Sequence, residues 1–324
     1  MMQKLNGLLF LICLLALVSP AGGQQLGNIS KIGFLGVRPD ESRTTFNSFK
    51  QQLYALGYSE GKDIAFEYRN AENKYDRLPA LVDELVRLKV DVFVVASTNE
   101  ARAAKKATMT IPIVGLSLGD PVATGLVGSF ARPGANLTGF TTINSELGGK
   151  RLELLKETVP KLSRVAVLWD PKGSGRYWEE VQAPAKALGL QLRSLRVNVI
   201  EQFDKAFEEA IRARSGAVVV TLSPLINSNQ RRIHELLAKN RLPAIYSRAE
   251  FVNSGGLMSY GADRSEGFKR VAVMVDKILK GTKPADIPIE RPTKFEFVIN
   301  LKTAKMLNLT IPQTVLFRAD KVIR

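Results

Sequence analysis

The stretch Val90-Asp-Val-Phe-Val-Val-Ala96 is a β-branched run, unbroken by any polar residue from Val92 to Ala96. Runs of this kind belong to strands covered on both faces of a parallel sheet. Ser97-Thr-Asn-Glu100 follows at once, an N-cap-like cluster that opens an Ala- and Lys-rich helix to about Thr108. Strand, cap and helix in direct succession are half of a βα unit, and the same alternation extends in both directions. Upstream, the pattern predicts a strand over 31–36. A helix follows in which Phe46, Phe49, Leu53 and Leu56 recur at spacings of three and four before Gly57 stops it. A second strand over 64–68 and a helix over 75–88 complete that side. Downstream come strands over 113–118 and 137–142.

The pattern then begins again. Helix 146–159, strand 164–169, a helix to Leu188, strand 191–197, helix 201–213, strand 217–221, helix 227–239 and strand 244–246 form a second set. The fold class is therefore α/β, with two Rossmann-like lobes built on parallel sheets. The remaining segments are a strand over 256–260, a helix over 265–280, a link carrying Pro284, Pro288 and Pro292, a strand over 295–300 and a short helix near 303–307. They are too few for a third domain. They are expected to return to the two lobes, so that residues 31–143 with 253–285 make the first, residues 144–252 with 286–324 the second, and several crossing strands form a hinge.

Composition narrows the chemistry. Among 324 residues there is one His, His234, and one Cys, Cys13, which nearly removes zinc, iron–sulfur, Cys-protease and disulfide readings. No G-x-S-x-G elbow, P-loop or correctly spaced G-x-G-x-x-G is present, so the residues offer little support for an enzyme and none for a bound cofactor. His234 sits in Arg231-Arg-Ile-His-Glu-Leu236 and reads as a solvated helix histidine. The 46 Lys and Arg exceed the 31 Asp and Glu by 15. These cations are scattered along polar helix faces without interleaved aromatics, which argues against a nucleic-acid partner. Residues 1–23 carry Lys4, the apolar run Leu8–Val18, then Pro20 and Ala21-Gly-Gly23. An apolar run of about 11 residues is a cleaved secretory signal, whereas a spanning helix needs roughly 20. Export follows, with the charge excess intact because Lys4 is the only charged residue removed.

Open α/β sheets hold ligands at the carboxyl ends of their strands. In the first lobe these ends carry Val37-Arg-Pro-Asp40, then Ser97 and Thr98, whose hydroxyls and neighbouring N–H groups could hold a carboxylate, and then Asp120, which could pair with an ammonium. Plain capping and turn formation explain these three equally well. In the second lobe they carry Trp169, Ser223 with Asn227, and Tyr246-Ser-Arg248, and Tyr260 closes the returning strand. The three aromatics could stack on an apolar ligand; packing against a helix is the more ordinary role for each alone, and what favours a ligand is that three share this kind of position.

Several long strings carry a resemblance. Tyr75-Asp-Arg-Leu-Pro-Ala80, Gly119-Asp-Pro-Val122 with Arg132-Pro-Gly-Ala-Asn-Leu-Thr-Gly139, and Lys150-Arg-Leu-Glu-Leu-Leu155 are three of them. Glu250-Phe-Val-Asn-Ser-Gly-Gly-Leu-Met-Ser-Tyr-Gly261 and Pro292-Thr-Lys-Phe-Glu-Phe-Val-Ile-Asn-Leu-Lys-Thr-Ala-Lys305 are two more. Together they resemble the ABC-transporter substrate-binding protein family that includes tryptophan- and tyrosine-binding receptors, from about Lys31 to Arg324. The resemblance implies a type I periplasmic-binding-protein fold with three hinge crossovers and a ligand caught between the lobes. It further implies a periplasmic, monomeric receptor that binds a small molecule, in the first place an amino acid and within that class an aromatic one, and delivers it to an ABC permease in the inner membrane. Ser97, Thr98 and Asp120 match family segments at the cleft. The same fold could instead serve as the ligand-sensing module of a membrane signalling protein, and genes for a permease and an ATPase beside this one would decide for transport.

Overall fold

The computed structural model describes residues 29–142, 146–174 and 176–324. The expected signal at 1–23 lies outside them. In the first lobe, β1 (Ser30–Gly36), β2 (Ile64–Asn70), β3 (Val92–Val95), β4 (Ile113–Leu118) and β5 (Leu137–Thr141) form a parallel sheet in the order β2-β1-β3-β4-β5. Helices α1 (Pro39–Ala55), α2 (Leu78–Arg87) and α3 (Thr98–Ala107) connect its strands. The run that opens the sequence reading is β3. Its four residues are wholly buried; Val92 and Val94 enter one core layer, while Phe93 and Val95 enter the other. Period-2 alternation with both faces covered is what the absence of a polar position in the run requires.

The second lobe opens with α4 (Gly148–Thr158) and β6 (Arg164–Trp169), followed by α5 (Pro171–Ser174), α6 (Tyr177–Ala187), β7 (Gln191–Arg196) and α7 (Gln202–Arg212). Then come β8 (Ala217–Val220), α8 (Pro224–Ser228), α9 (Gln230–Lys239), β9 (Ala244–Tyr246), α10 (Ala249–Asn253) and β10 (Met258–Ala262). The chain continues through α11 (Arg264–Leu279), β11 (Phe295–Asn300), α12 (Leu301–Met306), α13 (Gln313–Leu316) and β12 (Lys321–Ile323). The second sheet runs β12-β11-β10-β9-β8-β6-β7, parallel except for the antiparallel β10–β11 pair.

Two placements differ from the sequence reading. The sequence pattern places residues 253–285 as one block in the first lobe. In the structure β10 pairs with β9 and β11 in the second sheet, whereas α11 packs its Val271, Met274, Val275 and Ile278 into the core of the first. An apolar strand satisfies either sheet, so periodicity does not tell where it pairs. His234 is half-buried, with its ring edge-on to Tyr246 and Phe251 at centroid distances of 5.5 and 6.1 Å, and Nε2 has no hydrogen-bond partner. It is a packed residue, not a solvated one, because the helix face that holds it turns toward β9.

The chain passes between the lobes after Thr142, Ala262 and Glu290. These three passages pair with one another: Glu290 N–H donates to the Gly139 carbonyl, Thr141 N–H to that of Glu290, and Asp263 N–H to that of Lys294. Gly139 adopts a φ of +151°, and a Cβ there would lie 2.4 Å from the Gly115 carbonyl oxygen, so the β4–β5 approach at this hinge admits glycine only. The Glu266 carboxylate, at the start of α11, accepts the Thr293 and Lys294 N–H groups and thereby ties the third passage to the second.

Candidate functional site

Between the lobes lies a cavity of about 480 Å³ whose walls come from both sheets. Five of the eight residues singled out from the sequence line it: Ser97, Thr98, Asp120, Ser223 and Asn227. Ser97 is the extended N-cap of α3, and its hydroxyl donates to Glu100, whose carboxyl is only 3% exposed. Burial pushes the Glu100 carboxyl up, against the opposing pull of the Ser97 hydroxyl. Thr98 Oγ1 accepts the Gly119 N–H at 3.0 Å, which fastens the end of β3 to the end of β4. Its own hydroxyl hydrogen remains available to a third group. Asp120 Oδ1 caps the turn after β4, accepting the Val122 and Ala123 N–H groups at 3.1 and 2.9 Å. Its Oδ2 lies 4.0 Å from Arg176 Nη1 across the cavity. Ser223 caps α8 by accepting the Ile226 N–H, and Asn227 Oδ1 is buried without a partner.

Trp169, Tyr246 and Tyr260 do not line the cavity. Trp169 stacks on Trp178 at 6.3 Å and donates its indole N–H to Ser194 Oγ at 2.7 Å. Tyr246 is 1% exposed and stacks on Phe251 at 4.9 Å. Tyr260 stacks on Phe295 at 6.0 Å. Each lies within a strand, so its side chain follows the pleat. Trp169 shares a face with Val165 and Val167, Tyr246 with Ala244, and Tyr260 with Met258, all directed into helix-covered core layers. The rings that do reach the cavity are Tyr75, Phe130 and Tyr177. They stand in connecting segments or at a helix start, where no periodicity marks them.

Sequence reasoning puts Arg38 and Arg248 at strand ends without giving them a role, and it misses the carboxylates that join them at the rim. Arg248 Nη1, from the second lobe, donates to Glu41 Oε1 of the first at 2.6 Å, across 207 residues of chain. Arg38 Nη2 pairs with the other Glu41 oxygen. Arg264 reaches Glu250 Oε1 at 2.7 Å, Thr45 Oγ1 at 3.0 Å and Glu41 at 3.8 Å. Burial alone would raise the Glu41 carboxyl. The Arg248, Arg38 and Arg264 guanidiniums, with the Arg248 hydrogen bond, more than reverse this and hold it at about 2. Among the described residues, no group of three His, Cys, Asp or Glu side chains could hold a metal ion, and no helix is long and apolar enough to cross a membrane.

Two α/β lobes joined by three crossings, with a polar-rimmed cavity between them, define a cleft receptor of the type I periplasmic-binding-protein fold. The chain belongs to the ABC transporter substrate binding protein family, whose model matches residues 37–323. That family is one of binding receptors. The chain is 27% identical over 263 residues to a tyrosine-binding protein of Clostridioides difficile (strain R20291), covering 81% of this chain and 75% of that one. The ABC domain from Streptococcus pneumonia solved in complex with L-Trp superposes with a TM-score of 0.85 at 26% identity, over 91% of this chain and 100% of the other. A leucine binding protein from Thermotoga maritima shares the fold, with a TM-score of 0.56 at 14% identity over 79% of this chain and 77% of that one.

Proposed function

We propose that this protein is the exported solute-binding receptor of an ABC importer, and that it captures an aromatic amino acid between its lobes for delivery to a permease in the inner membrane. The observation that carries the reading is the cavity itself. Its volume falls in the range of about 300–1,000 Å³ typical of small-molecule sites, and both lobes supply its walls. A ligand there gains contacts in the closed form that neither lobe offers alone, which is the requirement for ligand-driven closure. The carboxylate binds at the head of α3 near Ser97 and Thr98, where helix N–H groups and the Thr98 hydroxyl favour an anion. Asp120 takes the ammonium through Oδ2. Ser223 and Asn227 close over the ligand from the second lobe, and Tyr75, Phe130 and Tyr177 surround its side chain. The tyrosine-binding relative and the L-Trp complex support the choice of side chain. In this reading residues 1–23 direct the chain to the periplasm, where it acts as a monomer. Its lobes comprise 30–142 with 264–290, and 146–262 with 291–324.

A thermal-shift screen over the common amino acids tests this. L-tryptophan or L-tyrosine at about a hundred times its Kd should raise the melting temperature by roughly 5 °C. A screen in which no amino acid shifts the melt contradicts the proposal.

A further inference from the structure

Arg38 lies after β1 among the residues that line the cavity, and its two terminal nitrogens are in different situations. Nη2 pairs with Glu41, while Nη1 is buried and has no hydrogen-bond partner. Three guanidiniums, Arg38, Arg248 and Arg264, meet at this corner with two ionised carboxylates, Glu41 and Glu250. Glu41 is shared by Arg38 and Arg248, and Glu250 is taken by Arg264. The next carboxyl, Glu100, is enclosed and bonded to Ser97. All three guanidiniums thus reach a carboxylate through one terminal nitrogen, and the terminal nitrogen left buried without any partner is Arg38 Nη1. Burial disfavours the charged form of Arg38, and Arg248 of the opposite lobe adds to this, against the opposing pull of Glu41. A cation buried without full compensation is costly, and an anion delivered to its free nitrogen removes that cost.

We propose that Arg38 is the residue through which the cleft selects a carboxylate-bearing ligand, its free Nη1 pairing with that carboxylate beside the head of α3 while Nη2 keeps Glu41 bound to Arg248. The inference rests on the cleft being the ligand site and adds the residue and chemical group that decide what enters. It also links recognition to closure. The ligand's charge completes a chain from Arg38 through Glu41 to Arg248, so an acid closes the lobes more firmly than its neutral isostere. The helix head and hydroxyls alone would discriminate weakly, since they also hydrogen-bond a neutral carbonyl.

The test measures Kd by calorimetry for paired probes, each common amino acid and a set of aromatic and aliphatic monocarboxylates against the corresponding primary amide. The expected result is that the wild type prefers the acid of a bound pair by tenfold or more, that Arg38→Gln brings the ratio to within about twofold of unity, and that Arg38→Lys retains part of the preference. A purely structural role would weaken acid and amide alike and leave their ratio unchanged in Arg38→Gln. That outcome overturns the proposal, as does equal binding of acid and amide by the wild type, or a panel in which no acid binds. The wild-type ratio decides the matter even if Arg38→Gln fails to fold. If only non-amino carboxylates bind, and Arg38→Gln loses their preference, the amino-acid reading fails while this one stands. Amino-acid binding with an Arg38-independent ratio gives the reverse.

Discussion

The strands of this molecule and the segments just beyond them obey different rules. Ser97, Thr98, Asp120, Ser223 and Asn227 lie past the last residues of β3, β4 and β8, and all five face the cleft. Trp169, Tyr246 and Tyr260 lie inside β6, β9 and β10, and none does. A residue within a strand must point to one sheet face or the other, and in a sheet covered on both sides each face is a core layer. Only where the pleat ends and the chain turns to cap the next helix can a side chain aim along the sheet axis into the space between lobes. The position of a residue relative to the end of its strand thus assigns it to the core or to the cleft, even when two residues lie at neighbouring strand ends.

The largest effect that could break this contrast is on stability. Tyr246→Ala removes a ring packed on Phe251 and His234 and should cost about 3–5 kcal/mol, as core aromatic truncations do. Urea unfolding reads this as a lower midpoint with an unchanged slope. If stability held and ligand binding vanished instead, Tyr246 would belong to the site.

A smaller effect is expected where the lobes meet. Glu41→Gln leaves the Arg248 guanidinium without its anion and should weaken closure by about 2 kcal/mol, below the range for fully buried pairs, because 28% of the Glu41 side chain sees solvent. The pH dependence has a definite sign. Glu41 is held at about 2 against an ordinary value of 4.5; Arg38 and Arg264 stay with it on its own lobe, so only the part due to Arg248 belongs to closure, and that part is present at neutral pH and is lost as pH falls toward about 2. X-ray scattering of the ligand-bound protein should show the lobes opening across that interval in the wild type. Glu41→Gln should lack that transition. A wild type that stays closed at pH 2 would show that the ion pair is not what holds the lobes together.

Much of the fold was legible because burial leaves a local record. The run Val92–Val95 has no polar position, and the helices that follow each strand show their apolar stripe in sequence. The lobe to which β10 returns left no such record, since its apolar residues suit either sheet and its partners β9 and β11 are set by the path of the hinge. The site was legible where it coincides with caps. Ser97, Asp120 and Ser223 are residue types that stabilise helix starts and turns, and those starts and turns open on the cleft. The Glu41–Arg248 pair, 207 residues apart, has no local signature at all. That Trp169, Tyr246 and Tyr260 lie off the cavity had no local sign, because a Trp or Tyr at the end of an apolar run looks the same whether it is the last pleated residue or the first beyond it.

One titration tests the contrast most directly. L-tryptophan and L-tyrosine are titrated by calorimetry into the wild type, Asp120→Asn and Tyr246→Phe. Asparagine keeps the oxygen that accepts the Val122 and Ala123 N–H groups, so only the charge offered to the ammonium is lost. The account predicts one-to-one binding by the wild type, a loss of roughly 10–100-fold in affinity in Asp120→Asn, the worth of a hydrogen bond to a charged group, and no change in Tyr246→Phe. Unchanged affinity in Asp120→Asn together with weakened binding in Tyr246→Phe would contradict it.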